Sequence, residues 1–435
     1  MFYKKDGIFM DKILIGLLIF VLIIGAICGV IYLLNENNSD EMLEYIDTFK
    51  VENLNENDDT LVPQKDEHGN WYFTTDGDFK VLQLTDIHLV GGISYTESDK
   101  KAINAVAAMV LAEDPDLVII TGDIASAYPT GLTFDNSYAH SFFIRLMENL
   151  GVYWTVTFGN HDNEPYNTHD RAEVAAMYAD ESLKYCLFQN SPEGVSGEGN
   201  HIINVKNSAG EVTESLIMID SHAYIHDDLI GGTIDSIFWN YDCVKQDQVD
   251  WYEDMINLYQ PKSSLMFFHI PLGEVKEAYD EYIANGRELN DDITSFTGHD
   301  GDEDEVVYSS KLENNLFEKV VELGNTKAMF FGHDHFNNFV MNYKGVIFSY
   351  GYSIDYMAYG DKRVLENQYE SMKRWIDFMF RNTQDYLWSS GWHYGDWLAY
   401  QAENDFGGRS AVTYRPLIQQ CYMVHSAEQF IEAAK

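Results

Sequence analysis

Short, nearly continuous apolar runs recur between residues 79 and 350, and most of them stop at Asp, Asn or His. "FKVLQLTDIH", "DLVIITGD", "YWTVTFGNHD", "ESLIMIDSH", "SSLMFFHIP" and "KAMFFGHDH" share this form. Such runs, bounded by polar and turn residues, predict buried strands. Between them lie stretches with helical spacing. In "KKAINAVAAMVLAEDP" the apolar positions are Ile103, Val106, Met109 and Val110, with Pro115 as the stop, and "KQDQVDWYEDMINLY" follows farther on. Strands alternating with helices predict α/β layers.

The strand ends carry the chemistry. Open α/β sheets bind ligands where strands run out at their carboxyl ends. Five such ends deliver Asp86 and His88, then Asp123, then Asn160 and His161, then His269, then His333 and His335. Residues i and i+2 of an extended chain point the same way, so the two imidazoles of "GHDH" can face one object. A single polar residue at a strand end is usually structural, but coincidence does not account for five ends in order, all with metal-competent side chains. Carboxylate, amide oxygen and imidazole form a borderline-hard donor set suited to Mn, Fe, Zn or Co. The donors are too many for one tetrahedral ion and about right for two ions sharing one ligand. Two ions roughly 3.5–4 Å apart clamp the attacking and leaving oxygens of a phosphoryl displacement. An aspartate, with two oxygens, is a natural bridge.

These motifs, "TDIH", "TGDI", "FGNHD", "FFHIP" and "FGHDH", resemble in order and spacing those of the calcineurin-like metallophosphoesterases, which include the purple acid phosphatases. The resemblance spans roughly residues 78–355, and "FFHIPLGE" with "GHDHFNNF" looks like the purple-acid-phosphatase-29-like and Dcr2-like branch. It implies a four-layer αββα sandwich, a phosphate-ester substrate and two divalent or trivalent metal ions. It further implies that Asp86, His88 and His335 hold one ion, that Asn160, His269 and His333 hold the other, and that Asp123 bridges. His161 becomes the acid/base, with Asp162 orienting it, and metal-bound hydroxide the nucleophile. One departure stands out. Purple acid phosphatases carry a tyrosine ligand three residues after the Gly-Asp aspartate, where this chain has Ser126, with Tyr128 two residues on. A purple Fe(III)–tyrosinate centre is therefore not expected, and the metal identity stays open among Mn, Fe, Zn and Co.

The N-terminus adds a location. The uncharged run from Ile13 to Leu34 is about the length, ~20 residues, that spans a bilayer as a helix. It is longer than the apolar region of a cleaved signal peptide, roughly 7–15 residues, and no small-x-small site follows it. Lys4, Lys5 and Lys12 precede it, whereas Glu36, Asp40, Glu41 and Glu44 follow. The positive-inside rule then predicts a cytoplasmic segment 1–12, a single-pass anchor 13–34 in the cell membrane and an extracytoplasmic body. Residues 35–75, rich in Asn, Asp and Glu, read as an acidic stalk leading to a phosphoesterase domain over 76–358. With 28 Lys+Arg against 70 Asp+Glu, the formal net charge of −42 argues against nucleic-acid binding. Cys28, Cys186, Cys243 and Cys421 show no paired spacing and read as small buried hydrophobes.

Two segments fall outside this pattern. The acidic stretch from Val275 to Glu305 reads as a solvated loop, with His299 as a bystander. Residues 359–435, rich in Trp and Tyr at helical spacing, predict a helical tail. "NQYESMKRWIDFM" and "GWHYGDWLA" there resemble part of the helical-barrel domain of bacterial α-L-rhamnosidases, without the carboxylate segments such a glycosidase needs, so no glycosidase activity is expected. The competing reading of the whole chain is a surface binding protein with a structural metal site and carbohydrate contact through the tail.

Overall fold

The computed structural model describes residues 3–49, 61–226, 228–298 and 307–354, with Lys373 and Arg381. Almost all of the predicted tail, residues 50–60 of the predicted stalk and His299 lie outside the described residues. Contacts within the chain divide it into one unit of Met1–Tyr359 and another of Gly360–Lys435.

A small parallel sheet is built from β3 (Val81–Leu84), β4 (Leu117–Thr121) and β5 (Trp154–Thr157). The larger sheet runs in space as β1 (Gln64–Lys65), β2 (Trp71–Thr74), β6 (His201–Lys206), β7 (Val212–Met218), β8 (Ser263–Phe267), β10 (Thr326–Phe331), β12 (Val346–Tyr350), β11 (Val340–Tyr343) and β9 (Ile293–Thr297). Its central strands β7, β8, β10 and β12 are parallel neighbours.

The apolar runs are continuous because each strand faces two different cores. In β4, Val118 and Ile120 pack with α2 (Thr96–Glu113) and α3 (Ser137–Leu150), through Ile103, Val106, Phe142, Phe143 and Leu146. Leu117 and Ile119, one position off, pack instead with Phe73, Ile203, Leu216, Met218 and Phe267, between the two sheets. The outer face of the large sheet repeats the logic. Ile217, Met266, Phe268, Met329 and Phe331 pack with α6 (Gln246–Tyr259), α7 (Gly273–Ala284) and α8 (Leu316–Leu323). Period-2 alternation thus sorts one run of sequence into two buried layers, and the result is helices, sheet, sheet, helices. Two shorter helices, α4 (Arg171–Tyr178) and α5 (Gly231–Ile237), sit in connections on the strand carboxyl side.

Three expectations need correction. Residues 275–298 are not a solvated loop: α7 buries Val275, Ala278, Tyr279 and Tyr282, an i, i+3, i+4, i+7 stripe, and β9 pairs with β11. The acidic positions between these apolar ones masked the helix. The first part of the predicted stalk is not a free spacer either. Helix α1 (Tyr3–Ile46) continues through the apolar run and buries Met42 and Ile46 fully in the α2/α3 core. Arg145 then grips Asp47 with Nε and a terminal nitrogen at 2.6 and 2.7 Å, while Asn149 Nδ2 donates to the Ile46 carbonyl. Farther along the same segment, β1 and β2 extend the large sheet. Finally, Cys186 and Cys243 are only partly buried, and Cys28 is exposed on α1.

Candidate metal centre

Every residue singled out at a strand end arrives at one place, because β3, β4 and β5 in one sheet and β8 and β10 in the other all end on the same edge. The loops beyond β3 and β4 are tied together: Asp86 N–H donates to the Gly122 carbonyl, and Ile87 and His88 N–H both donate to the Asp123 carbonyl. Asp86, His88, Asp123 and His333 adopt left-handed φ of 51°, 53°, 52° and 79°. Such backbone costs on the order of 1–3 kcal/mol per non-glycine residue and persists where the surroundings demand it. Glycine precedes Asp123, Asn160 and His333 for a steric reason. A Cβ on Gly159 would lie 2.1 Å from Asp123 Oδ1, and one on Gly332 2.4 Å from Asp86 Oδ2.

The side chains form two groups that share one member. Asp86, His88, Asp123 and His335 offer ligand atoms all within 4.8 Å of one another, as do Asp123, His269 and His333. His88 Nε2 and His335 Nε2 face each other at 3.0 Å, and Asp86 Oδ1 lies 3.2 Å from the latter. Asp123 Oδ1 accepts the His161 N–H at 2.8 Å. Its Oδ2 lies 3.6 Å from His88 Nε2 and 3.0 Å from His269 Nε2, one from each group. His269 donates Nδ1–H to the Thr121 carbonyl at 2.7 Å, which turns Nε2 inward. Asn160 Nδ2 donates to the Tyr224 hydroxyl, which turns Oδ1 the same way.

These residues fit a pair of metal ions. Asp123 Oδ2, Asn160 Oδ1 and His269 Nε2 are buried without a hydrogen-bond partner. An orphaned buried polar atom costs about 1–3 kcal/mol, so three in one cluster call for a cation in their midst. Burial by itself would raise the Asp123 carboxyl, but His269, then His161 and His88, hold it far below the usual carboxylate range. Asp86 behaves alike: burial opposes its charge, and His335 and His88 outweigh it. Burial and the neighbouring His269 keep His333 well below the usual imidazole value, hence neutral and able to donate a lone pair.

His161 stands apart from both groups. Its ring keeps 37% exposure, lies 5.2 Å from that of His88, and is held by Nδ1 at 2.7 Å from Glu164 Oε1. Burial works against its charge, but Asp123 and the Glu164 hydrogen bond raise it to about 9. The orienting role expected of Asp162 belongs to Glu164. Asp162 instead accepts the N–H groups of Asp123, Ile124, Ala125 and Gly159. It shapes the loop that presents Asp123, and His140, through Nε2 to the Asp162 carbonyl, steadies it from α3. Glu164 and Tyr224 were not singled out from the sequence; the i, i+3 offset of Glu164 from His161 is a signal that could have found the first. Tyr128, near the position of the absent tyrosine ligand, packs its ring against Tyr95 at 5.4 Å.

The family model for calcineurin-like phosphoesterase matches residues 79–337. That for the bacterial alpha-L-rhamnosidase 6 hairpin glycosidase domain matches residues 344–435. "Probable inactive purple acid phosphatase 28" of Arabidopsis thaliana is 28% identical over 316 residues, 66% of this chain and 73% of that protein. "Phosphatase DCR2" of Saccharomyces cerevisiae is 31% identical over 226 residues, 46% of this chain and 36% of that protein. Among solved structures, a dimetal phosphatase from Danio rerio aligns with a TM-score of 0.40 and 12% identity, over 64% of this chain and 88% of its own.

Proposed function

The chain belongs to the calcineurin-like phosphoesterase family, and from that premise we propose that it is an active, membrane-anchored hydrolase of phosphate esters working outside the cytoplasm. Asp86, His88 and His335 would hold one ion, Asn160, His269 and His333 the second, and Asp123 Oδ2 both. When bound, two such ions supply Lewis acidity toward the phosphoryl oxygens and an oxygen nucleophile near neutral pH. The chain's own residues do the rest. With Nδ1 taken by Glu164, proton transfer to the leaving oxygen falls to His161 Nε2. Asp162 keeps the Asp123 loop in place, and the Glu164–Tyr224–Asn160 hydrogen bonds link the proton donor to a ligand.

The observation that carries this reading is the pairing of His161 with Glu164 beside two ligand groups that share a carboxylate. A purely structural metal site needs no oriented proton donor with an exposed edge. The purple acid phosphatase relatives bear names that call them inactive; the His161–Glu164 pair and the complete ligand set support activity in this chain. The anchor reading is supported by α1, which carries one apolar span and runs unbroken into the folded body. We place the catalytic domain at 76–358 and treat 359–435 as a separate helical tail.

The test is direct. Purified full-length protein, stripped of metal and reloaded with Mn, Fe, Zn or Co, is assayed on p-nitrophenyl phosphate, on a matching diester and on an aryl rhamnoside. Metal-dependent hydrolysis of a phosphate ester is expected. Binding of two metal equivalents with no turnover of either phosphate would favour the surface-binding reading instead.

A further inference from the structure

Helix α5 and its flanks leave a cluster of large apolar side chains in the open. Leu229, Ile230, Ile234, Ile237, Phe238 and Trp239 are 61%, 73%, 48%, 67%, 65% and 58% exposed. A cluster of this kind on a folded domain marks a contact surface. The segment from Leu229 to Trp239 contains no Lys or Arg, so whatever covers it is met through apolar surface rather than through positive charge.

Its place in the fold indicates the occupant. The α5 excursion follows the carboxyl end of β7, which is parallel to β8 and therefore opens on the edge that carries His269. At the base of the excursion Tyr224 and Tyr241 bridge and stack at 5.9 Å, and Tyr241 meets the His333 ring at 4.5 Å. A cleft beside the metal centre has Tyr241, Trp239 and Phe238 in its wall. The apolar span of α1 leaves the predicted membrane segment at Leu34, and the next residue is tied to the same edge. Asn35 Nδ2 donates to the Leu132 carbonyl at 2.8 Å, and Asn35 Oδ1 accepts the Ile93 N–H at 3.1 Å. Those carbonyl and amide groups belong to the loops that follow Asp123 and His88. Asn38 and Glu36 add hydrogen bonds to Thr96 and Tyr138.

A line of contacts joins the two features. Leu132 and Phe134 are 41% and 47% exposed. The Phe134 ring meets Tyr166 at 6.1 Å, and the adjacent Pro165 packs so closely on α5 that a Cβ on Gly232 would lie 2.7 Å from its ring. From the exit of the span to α5, then, the rim of the metal centre is continuous and exposes apolar side chains at both ends.

We propose that this rim is a membrane-contact surface: α5 lies in the interface of the bilayer that α1 spans, and the mouth of the metal centre faces that bilayer. The inference rests on the reading of α1 as an uncleaved anchor and of the centre as a phosphoesterase. An interfacial helix of this kind buries its apolar face about 5–10 Å deep at the headgroup boundary. The net charge of −42 disfavours anionic lipid as the attraction, so neutral phosphatidylcholine suffices. The substrates within reach are phosphate monoesters borne by lipids at headgroup level. With phosphatidate, water adds its oxygen to phosphorus, the P–O bond to glycerol breaks, and diacylglycerol leaves with the proton while inorganic phosphate is released.

The experiment uses the full-length, metal-loaded protein in phosphatidylcholine nanodiscs with plain or brominated acyl chains, each carrying a minor fraction of phosphatidate as substrate. The emission of Trp239 is taken as the difference between the native protein and Trp239→Phe. Brominated lipid should quench that emission by roughly twofold or more, and Ile234→Glu with Ile237→Glu should abolish the quenching. In the same discs the double variant should lose roughly tenfold of its phosphatidate hydrolysis while keeping its turnover of p-nitrophenyl phosphate. Unquenched Trp239 with the span intact overturns the proposal, as does a double variant with undiminished phosphatidate hydrolysis. Cleavage of the span, seen by N-terminal sequencing, overturns the anchor reading and this proposal with it. Quenching of Trp239 without turnover of either phosphate sinks the phosphoesterase reading and leaves the membrane contact standing.

Discussion

Glu164 Oε1 lies 2.7 Å from Nδ1 of His161 and at the same time accepts the Tyr224 hydroxyl at 3.1 Å. Glu164 is buried, whereas His161 keeps an exposed edge. The carboxylate therefore fixes the ring from inside and presents Nε2 outward. Replacing a group that orients a functional histidine in this way typically lowers activity by about 10–100-fold. Glu164→Gln should lower kcat by that order, leave KM nearly unchanged and leave both metal equivalents in place. Elemental analysis alongside steady-state kinetics checks this. A fall in metal content would show that Glu164 supports the ligands rather than the proton donor.

His161→Ala removes the donor itself. Turnover should fall roughly 10²- to 10⁴-fold with metal content unchanged. The loss should be least for aryl esters with acidic leaving groups, because such oxygens depart with little protonation. A plot of log kcat against leaving-group pKa should steepen in the variant. An unchanged slope would remove His161 from the role of general acid.

Asp123 occupies the position where one oxygen faces a histidine of each ligand group. Asp123→Ala should release both ions and abolish turnover. The apoprotein should still fold, since the core layers are formed by other residues. Two metals retained by the variant would contradict the bridging assignment.

Much of this was legible in the chain because two physical regularities coincide. Strand ends are where a parallel sheet exposes chemistry, and buried strands announce themselves as apolar runs, so the pattern of the chain alone places Asp86 through His335 on one edge. What stayed hidden depends on contacts between segments distant in sequence. Asp162 and Glu164 are both acids close to His161, and only the fold of the loop decides that Asp162 turns toward the backbone of residues 123–125 while Glu164 meets the ring. Helix α7 was missed because charged residues between Val275 and Tyr282 diluted its apolar stripe. The docking of Met42 and Ile46 was missed because the polar residues around them read as solvent-facing.

His201 offers a prediction about pH that does not involve the metal centre. It is fully enclosed, donates Nδ1–H to the Gly199 carbonyl and accepts from the Thr155 hydroxyl at Nε2, each at 2.7 Å. Both nitrogens are satisfied only in the neutral ring. Burial pushes its pKa down from 6.5 to about 4, against a smaller opposing effect of the Gly199 carbonyl. Between those values the unfolded chain binds a proton at this residue and the folded chain does not. Stability therefore falls as pH drops through this window and levels off below it. From pH 7 to 5 the contribution is roughly 2 kcal/mol. Denaturant titrations at both pH values should show that much less pH dependence in His201→Gln than in the native protein. Equal slopes would mean that His201 does not carry the effect.

The boundary with the tail gives the last prediction. The rhamnosidase-like match begins at residue 344, yet the chain just beyond that point belongs to the phosphoesterase layers. Strand β12 lies between β10 and β11, pairing Phe330 with Ser349 and Met341 with Phe348. Ile354 is buried in the α2/α3 core, its N–H donating to the Thr85 carbonyl, and Ser353 Oγ donates to the carbonyl of Asp86. The phosphoesterase thus needs residues through at least Ile354, and the ligand loop at Asp86 leans on them directly. A chain ending at residue 358, its membrane span retained, should fold, bind both metals and keep its turnover, whereas one ending at 343 should fail to fold, having lost a central strand. Expression of both truncations, with metal analysis and an aryl phosphate assay, separates the cases. A 358-residue form that is folded and metal-loaded but inactive would place part of the tail in the active site and overturn the division of the chain at that point.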